Sequence, residues 1–524
     1  MRFLTAAAVA ALFATAALPP TAQARPIRFS AEIPTSGVLV VPAAGETDLA
    51  LRAPGLDATT RAAVSRGLAA AKFDYKAGSS LTFRSLGGYD EIVVLGAAPA
   101  AGQLSALELR KLGVAAARTT AQASSPAALA STGLPAPDEA ALGVALGAYA
   151  FDLYKSGSRS EASAQPTPFV IAGSGATAAQ AAWSRRGGAL AEGVGFARDL
   201  IAEPPNVLYP EVFAERTRAA FKGVSGTTVE VLDVAAMEKL GMGAILSVGQ
   251  GSVRPPRMVI VTYKGPGAPD RPLAITGKGI TFDTGGISIK PGANMWKMKG
   301  DMAGAAAAMG AVLSLAKSNA PVHVVAVAAL AENMPGGSAA RPGDVVRAHN
   351  GRTIERLNTD AEGRIVLADA TAYAQSRFKP AAIVNVATLT GAVGSALGDE
   401  YAGLFSRHDG LAAQVEAAAN ATGESVWRLP MHPSYAKDVD SPVADIRDIS
   451  LAPSAGAGIG AHVIGYFADP TTPWAHLDIA GVSWADSDRP LGPKGGQGFG
   501  VMLLDELARN FDSTRAAEPA RAGD

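Results

Sequence analysis

The stretch Leu273-Ala274-Ile275-Thr276-Gly277-Lys278-Gly279-Ile280-Thr281-Phe282-Asp283-Thr284-Gly285-Gly286-Ile287-Ser288-Ile289-Lys290 decides the fold class. Its first four residues form a short apolar run of strand type, bounded by Pro272 and by glycine-rich sequence. An alanine-rich helical run at 302–317 follows, and then a second strand-like run at 323–329. Further strand-like runs stand at 229–232, 258–263 and 382–387, and another helical run at 365–376. This alternation predicts an α/β fold with a mostly parallel central sheet flanked by helices. Lys278 and Asp283 then fall in the glycine-rich loop at a strand's carboxyl end, the edge where open α/β sheets bind ligands.

Outward from there, residues 26–172 read as a first α/β unit. Strands are expected at 37–42, 91–95 and 169–172, helices at 104–121 and 139–153, and a polar loop at 156–167. Residues 178–201 and 210–221 read as helical, with no strand between them. The expected organisation is a smaller N-terminal α/β domain at 25–175, a larger C-terminal catalytic domain at 176–512 and a disordered tail at 513–524. Residues 1–24 read as a signal peptide: Met1-Arg2 is charged, 3–18 is apolar, and Ala22-Gln23-Ala24 is a cleavage pattern. About 16 apolar residues are short for a membrane span of roughly 20. An exported protein, periplasmic or secreted, with no membrane anchor after cleavage is the expectation.

With 48% hydrophobic residues in a chain of 524, a large core can be buried. The net charge of −1 gives no field for nucleic acid, and the chain has no cysteine for disulfides or thiolate ligands.

Chemistry concentrates in two places. The first holds Lys278, Asp283 and Lys290, followed by Met298-Lys299-Gly300-Asp301-Met302. The second is Asn358-Thr359-Asp360-Ala361-Glu362-Gly363-Arg364. Asp360 and Glu362 are two apart, so in an extended segment both carboxylates share one face. Carboxylates brought together repel unless a proton or a cation sits between them. Taken singly, each segment reads equally well as an acidic helix start. Together they offer four carboxylates and one amine, a set suited to Mn, Mg or Zn. The six histidines, at 323, 349, 408, 432, 462 and 476, show no paired metal-ligand spacing, and His476 reads as structural. Gly173-Ser174-Gly175-Ala176-Thr177-Ala178 has a dinucleotide-fingerprint shape, but no second strand follows within a βαβ length, so a tight turn is expected.

At this point the chain resembles the leucyl aminopeptidase family of cytosolic-type dizinc exopeptidases. The run from Asn358 to Arg364 matches that family's signature. Gly277 through Lys290, Met298 through Ala306, Glu332-Asn333-Met334-Pro335, Arg341-Pro342-Gly343-Asp344, Ala387 through Ala392 and Trp474 through Gly481 match as well. The resemblance runs over about 197–507; the N-terminal unit matches in length and pattern only. It implies that Lys278, Asp283, Asp301 and Glu362 hold one metal, and that Asp283, Asp360 and Glu362 hold the other. It implies two divalent ions per subunit (Zn or Mn), catalytic roles for Lys290 and Arg364, and a bicarbonate at Arg364. Met298, Asn358, Thr388, Leu389 and Gly391 would line the first-residue pocket, with Met298 and Leu389 favouring an apolar side chain such as Leu. The implied substrate is a short peptide with a free N-terminus, and the implied assembly is a homohexamer. Three features depart from the pattern: Asn385 stands where the family usually has an acid, Ala340 where it has a larger residue, and 455–461 lacks a preceding arginine. The alternatives are a two-metal phosphoesterase and an inactive exported binding homologue.

Overall fold

The computed structural model describes residues 25–156 and 167–519. The expected signal peptide and nearly all of the expected 156–167 loop therefore lie outside the described residues.

Two α/β layers follow one another along the chain. The first is built on β1 (Ile27–Ser30), β2 (Val38–Ala43), β3 (Ser80–Leu86), β4 (Tyr89–Gly96), β5 (Ala127–Ala130) and β6 (Phe169–Ala172). Their order is β1-β6-β5-β2-β4-β3, parallel except for the β3–β4 hairpin at one edge. The Gly173 turn after β6 is tight. A Cβ on Gly173 would lie 2.6 Å from the Thr132 nitrogen, so the fingerprint-like glycine serves a close backbone approach.

The second sheet contains β7 (Thr227–Leu232), β8 (Arg257–Lys264), β9 (Leu273–Asp283) and β10 (His323–Asn333). A small three-stranded sheet is made of β11 (Asp344–Arg347), β12 (Thr353–Arg356) and β16 (Ile446–Arg447). The second sheet is completed by β13 (Ala382–Ala387), β14 (Ala402–Ser406), β15 (Val426–Arg428) and β17 (Trp474–Asp478), in the order β15-β14-β17-β13-β9-β10-β8-β7. The central four, β17-β13-β9-β10, are parallel, and antiparallel pairs flank them on both sides. The α/β class with a mostly parallel central sheet is as expected.

Strand periodicity explains how this sheet is covered. In β10, Val324, Ala326, Ala328 and Leu330 enter one core, while Val325, Val327, Ala329 and Ala331 enter the other. The first core is closed by helices Gly188–Ala202, Ala303–Lys317 and Val501–Arg509. The second is closed by Glu362–Phe378 and Gly456–Gly465. Ala303–Lys317 is buried from Ala303 to Ala316, because it lies between the sheet and two further helices. Only small residues allow that: a Cβ on Gly310 would meet the Gly193 carbonyl at 2.5 Å.

Three expectations need correction. The strand expected to stop at Thr276 continues to Asp283, so Lys278 lies inside β9 and Asp283 ends it. The glycines at 277 and 279 mark crowding, not a turn. A Cβ on Gly277 would sit 2.5 Å from Ala305 Cα, and one on Gly279 would sit 2.4 Å from the Leu330 side chain. The chain turns only at Gly285 and Gly286, with φ of +88° and +66°. Asp360 and Glu362 do not share an extended segment: Thr359–Ala361 is a 3-10 turn, and Glu362 opens helix Glu362–Phe378. The tail expected to be disordered starts with helix Ser513–Ala516, capped by Asp512 and fixed by buried Ala516. Residues 520–524 lie outside the described residues.

Candidate metal centre

Strand order reverses at β9. The chain passes from β9 through helix Ala303–Lys317 to β10 on one side, and later reaches β13 on the other. A crevice opens at the carboxyl ends of strands where order reverses. Here it is a cleft of about 690 Å³. Every candidate site residue lines it: Lys278, Asp283, Lys290, Asp301, Asp360, Glu362, Arg364, Met298, Asn358, Thr388, Leu389 and Gly391.

Four segments deliver the charged groups. β9 carries Lys278 and Asp283, and the Met295–Gly300 turn delivers Asp301. The Thr359–Ala361 turn delivers Asp360, and the helix after it begins with Glu362. Asp283, Asp301 and Glu362 are buried, and each offers a carboxylate oxygen within 4.8 Å of the others. The Lys278 ammonium lies 2.8 Å from Asp301 Oδ2 and 2.8 Å from Glu362 Oε1, and it donates to the Thr388 carbonyl at 2.8 Å. Asp360 stands outside that trio and is joined to Asp283 through Lys290, whose Nζ lies 2.9 Å from Asp283 Oδ2 and also contacts Asp360 Oδ1.

The electrostatics follow from crowding. Burial pushes the Asp301 carboxyl up to about 8; Lys278 opposes this, while Glu362 and Asp283 add to it. Burial also raises Asp360, against the pull of Lys290. Burial works to lower both lysines, but the carboxylates outweigh it. Asp301, Glu362 and Asp283 hold Lys278 above the ordinary lysine range, and Asp283 and Glu362 do the same for Lys290. Asp301 Oδ2 and Asp360 Oδ1 are buried and receive no well-aligned hydrogen bond. A divalent cation among these oxygens would remove the repulsion and satisfy both atoms, and a carboxylate set with one amine suits a divalent ion such as Mn, Mg or Zn. The residues fit the implied ions.

Arg364 Nη1 donates to the Asp448 carbonyl at 2.8 Å, while its Nε has no partner. Thr388, expected only as a pocket residue, donates from Oγ1 to Asp301 Oδ1 at 2.6 Å, besides receiving Lys278 on its carbonyl. Asn358 caps the next turn by accepting from the Asp360 nitrogen at 2.9 Å. His476 is structural, as expected. It is fully buried and stacked on Phe405 and Trp474, and burial, with Arg364 adding, drives its ring down to about 3.

Sequence reasoning missed three groups. Asn333 donates to Asp283 Oδ1 at 2.8 Å and to the Thr359 carbonyl at 2.9 Å. Asp448 accepts from the Leu357 and Asn358 nitrogens, and Asp478 from Leu389, Thr390 and Ala480. Asn333 and Asp478 stood inside quoted motifs, but nothing in the sequence near Asp448 marks it.

The profile of the cytosol aminopeptidase family, catalytic domain, matches residues 195–505, and that of its N-terminal domain matches 40–158. A probable cytosol aminopeptidase of Gluconobacter oxydans (strain 621H) is 45% identical over 491 residues, 93% of this chain and 98% of its own. One from Bradyrhizobium sp. (strain BTAi1 / ATCC BAA-1182) is 48% identical, covering 71% of this chain and 74% of its own. Among solved structures, the bottromycin maturation enzyme BotP in complex with Mn has a TM-score of 0.77 at 35% identity, over 91% of this chain and 99% of its own. A mutant of tomato leucine aminopeptidase has a TM-score of 0.79 at 32% identity, over 93% and 97%. The N-terminal likeness is thus one of sequence as well as of length and pattern.

These relatives overturn the expectation of export. The curated proteins that match along most of their length are named cytosol aminopeptidases. The signal-peptide reading rested on Met1-Arg2, the apolar run at 3–18 and the Ala22-Gln23-Ala24 pattern, all of which lie outside the described residues. Among the described residues no helix is long and apolar enough to cross a membrane.

Proposed function

The chain belongs to the cytosol aminopeptidase family, and on that premise we propose that it is a two-metal exopeptidase removing N-terminal residues, apolar ones such as leucine preferred, from short peptides. The observation that carries the proposal is the buried trio Asp283, Asp301 and Glu362 around Lys278, in one cleft with Lys290 and Arg364. Asp283, Asp301, Glu362 and Lys278 would hold one cation, Lys278 as the neutral amine after giving up its proton, and Asp283, Asp360 and Glu362 a second, zinc or manganese. Bound there, such ions supply Lewis-acid polarisation of the scissile carbonyl and acidification of water.

The protein's own groups do the rest. Lys290 lines the cleft beside Asp283 and Asp360, and its ammonium would donate to the oxyanion that develops on the carbonyl oxygen. Loss of one such donor costs roughly 3 to 4 kcal/mol of transition-state stabilisation. Arg364 is anchored on the Asp448 carbonyl with its Nε unpartnered, which supports a planar anion there; we propose bicarbonate. The substrate's free amine would bind the cation near Asp301, which restricts cleavage to the first residue. Met298 and Leu389, with Thr388, Gly391 and Asn358, offer that residue a largely apolar pocket. Hexameric assembly is proposed from the family resemblance.

The test is to strip the purified protein with chelator and assay Leu- and Ala-anilides with Zn, Mn or Co restored. Activity should vanish and return, N-acetylated Leu-anilide should resist cleavage, and Glu362→Ala should lose both metal and turnover. Full turnover by metal-free protein would sink the two-metal proposal.

A further inference from the structure

We infer that Asn333 is a positioning residue, which sets the spacing between the two carboxylate-bearing segments and turns Asp283 Oδ2, not Oδ1, toward the cleft for a cation. The inference rests on the proposal that the carboxylate cluster holds divalent ions.

The placement starts from an irregularity in the sheet. β9 and β10 pair in step from Val324↔Leu273 to Ala331↔Ile280, and then β9 carries one extra residue, so that Glu332 faces Phe282 and Asn333 faces Asp283. Without that bulge Asn333 would stand opposite Phe282. Bulges re-aim side chains at sheet ends next to functional sites.

The side chain makes full use of the position. One amide hydrogen goes to Asp283 Oδ1 at 2.8 Å and the other to the Thr359 carbonyl at 2.9 Å. Both neighbours are acceptors, so the NH2 must face them, and the orientation of the amide is fixed by chemistry. Asp283 Oδ1 also accepts from the Gly285 nitrogen at 2.8 Å, so that oxygen is occupied twice by protein donors. Oδ2 is left facing Lys290 and the cleft. Through Thr359 the same amide grips the turn that carries Asp360 and leads into Glu362. One buried side chain therefore ties the end of β9 to a segment that follows it by some 75 residues, and both segments present ligand candidates.

Residue type matters for a physical reason. A carboxylate at 333 could not donate, and would add a fourth negative charge beside Asp283. Gly286 makes room for the amide: a Cβ there would lie 2.7 Å from Asn333 Oδ1. The tie between Asn333 and Thr284 runs through the Asn333 main-chain carbonyl, at 3.0 Å from the Thr284 nitrogen and 2.8 Å from its hydroxyl. Changing the side chain leaves that strand end in place.

Asn333→Leu keeps the shape and removes both donors; Asn333→Ala removes them with a smaller side chain. Mn and Zn affinities of the full-length protein and both variants would be measured by competition with a chromophoric chelator, alongside melting of the metal-free forms. The expected result is a 10- to 100-fold weaker metal dissociation constant, the range for loss of a group that orients a metal ligand. Metal-free melting should move by only a few degrees, and kcat should return toward the wild-type value in excess metal, as it would not if the fold were damaged. Wild-type metal affinity in a folded variant would overturn the inference and leave the two-metal proposal standing. If both variants fail to fold, Asn333 is a fold residue and the inference is overturned. If the wild-type protein shows no saturable divalent binding, the two-metal proposal itself falls and takes this inference with it.

Discussion

At the scale of single residues, Gly363 shows how a signature glycine acts. A Cβ on it would lie 2.8 Å from Lys278 Cδ and 3.0 Å from Nζ, so the lysine stem crosses the helix start where a side chain would stand. Lys278 cannot step aside, because its ammonium is held by Asp301, Glu362 and the Thr388 carbonyl. Gly363→Ala should therefore weaken metal binding roughly 10-fold or more while the protein stays folded, as chelator competition and circular dichroism would show. His476 predicts a pH effect. Its folded-state value of about 3 lies below the ordinary 6.5, so its contribution is full above 6.5 and is lost as pH falls towards 3. Between pH 7 and pH 5 that loss is about 2 kcal/mol. In metal-free protein, His476→Phe should shrink the drop in urea-unfolding stability over that interval by about this amount; an unchanged drop would contradict the assignment. The residues themselves pointed to Lys278, Asp283, Asp301, Asp360 and Glu362, while Lys290, Arg364 and the pocket positions came with the family resemblance; the fold gathers all twelve in one cleft. The partners that hold them were not legible in the sequence. Asn333 with Asp283, Thr388 with Asp301 and Asp448 with Leu357 are hydrogen bonds across 50 to 91 positions, which no local pattern encodes.

Among the elements, β9 carries the main lesson. Glycines in a strand pattern read as a turn, and here they are places where a helix or a neighbouring strand presses on the backbone. Gly277 faces helix Ala303–Lys317, and a Cβ on Gly304 of that helix would lie 2.1 Å from the Val386 carbonyl. Gly304→Ala should cost about 1 to 3 kcal/mol by overpacking, and should lower activity by shifting the helix start next to Asp301. Urea denaturation with a parallel anilide assay checks both halves. Positive φ at Gly285 and Gly286, not glycine content, marks the real turn, and φ cannot be read from composition. The parallel centre of the sheet was legible because its strands are mostly apolar and are buried on both faces. The antiparallel edges were not, since pairing direction leaves little trace in a short apolar run.

For the molecule as a whole, three arginines are among the groups that join the two domains, beside Tyr149 on Asp199 and Tyr154 on Glu203. Arg110, on helix Ala106–Thr119, donates to the Ala421 and Thr422 carbonyls at the end of helix Asp409–Thr422. Arg118 donates to the Arg489 and Gly492 carbonyls, each at 2.7 Å. From the catalytic side, buried Arg198 reaches the Leu146, Leu491 and Gln497 carbonyls. Arg198→Met leaves those acceptors without this donor, at about 1 to 3 kcal/mol for each that stays buried. Scanning calorimetry should show a lower, broadened or split transition; a wild-type trace would mean the contact carries no coupling. Every acceptor in these arginine contacts belongs to the main chain. Substitution on the accepting side can therefore change the side chain but cannot erase the acceptor, while a single codon change on the donating side can. Change is therefore tolerated at the accepting positions and constrained at the three donors, which stand on both sides of the joint.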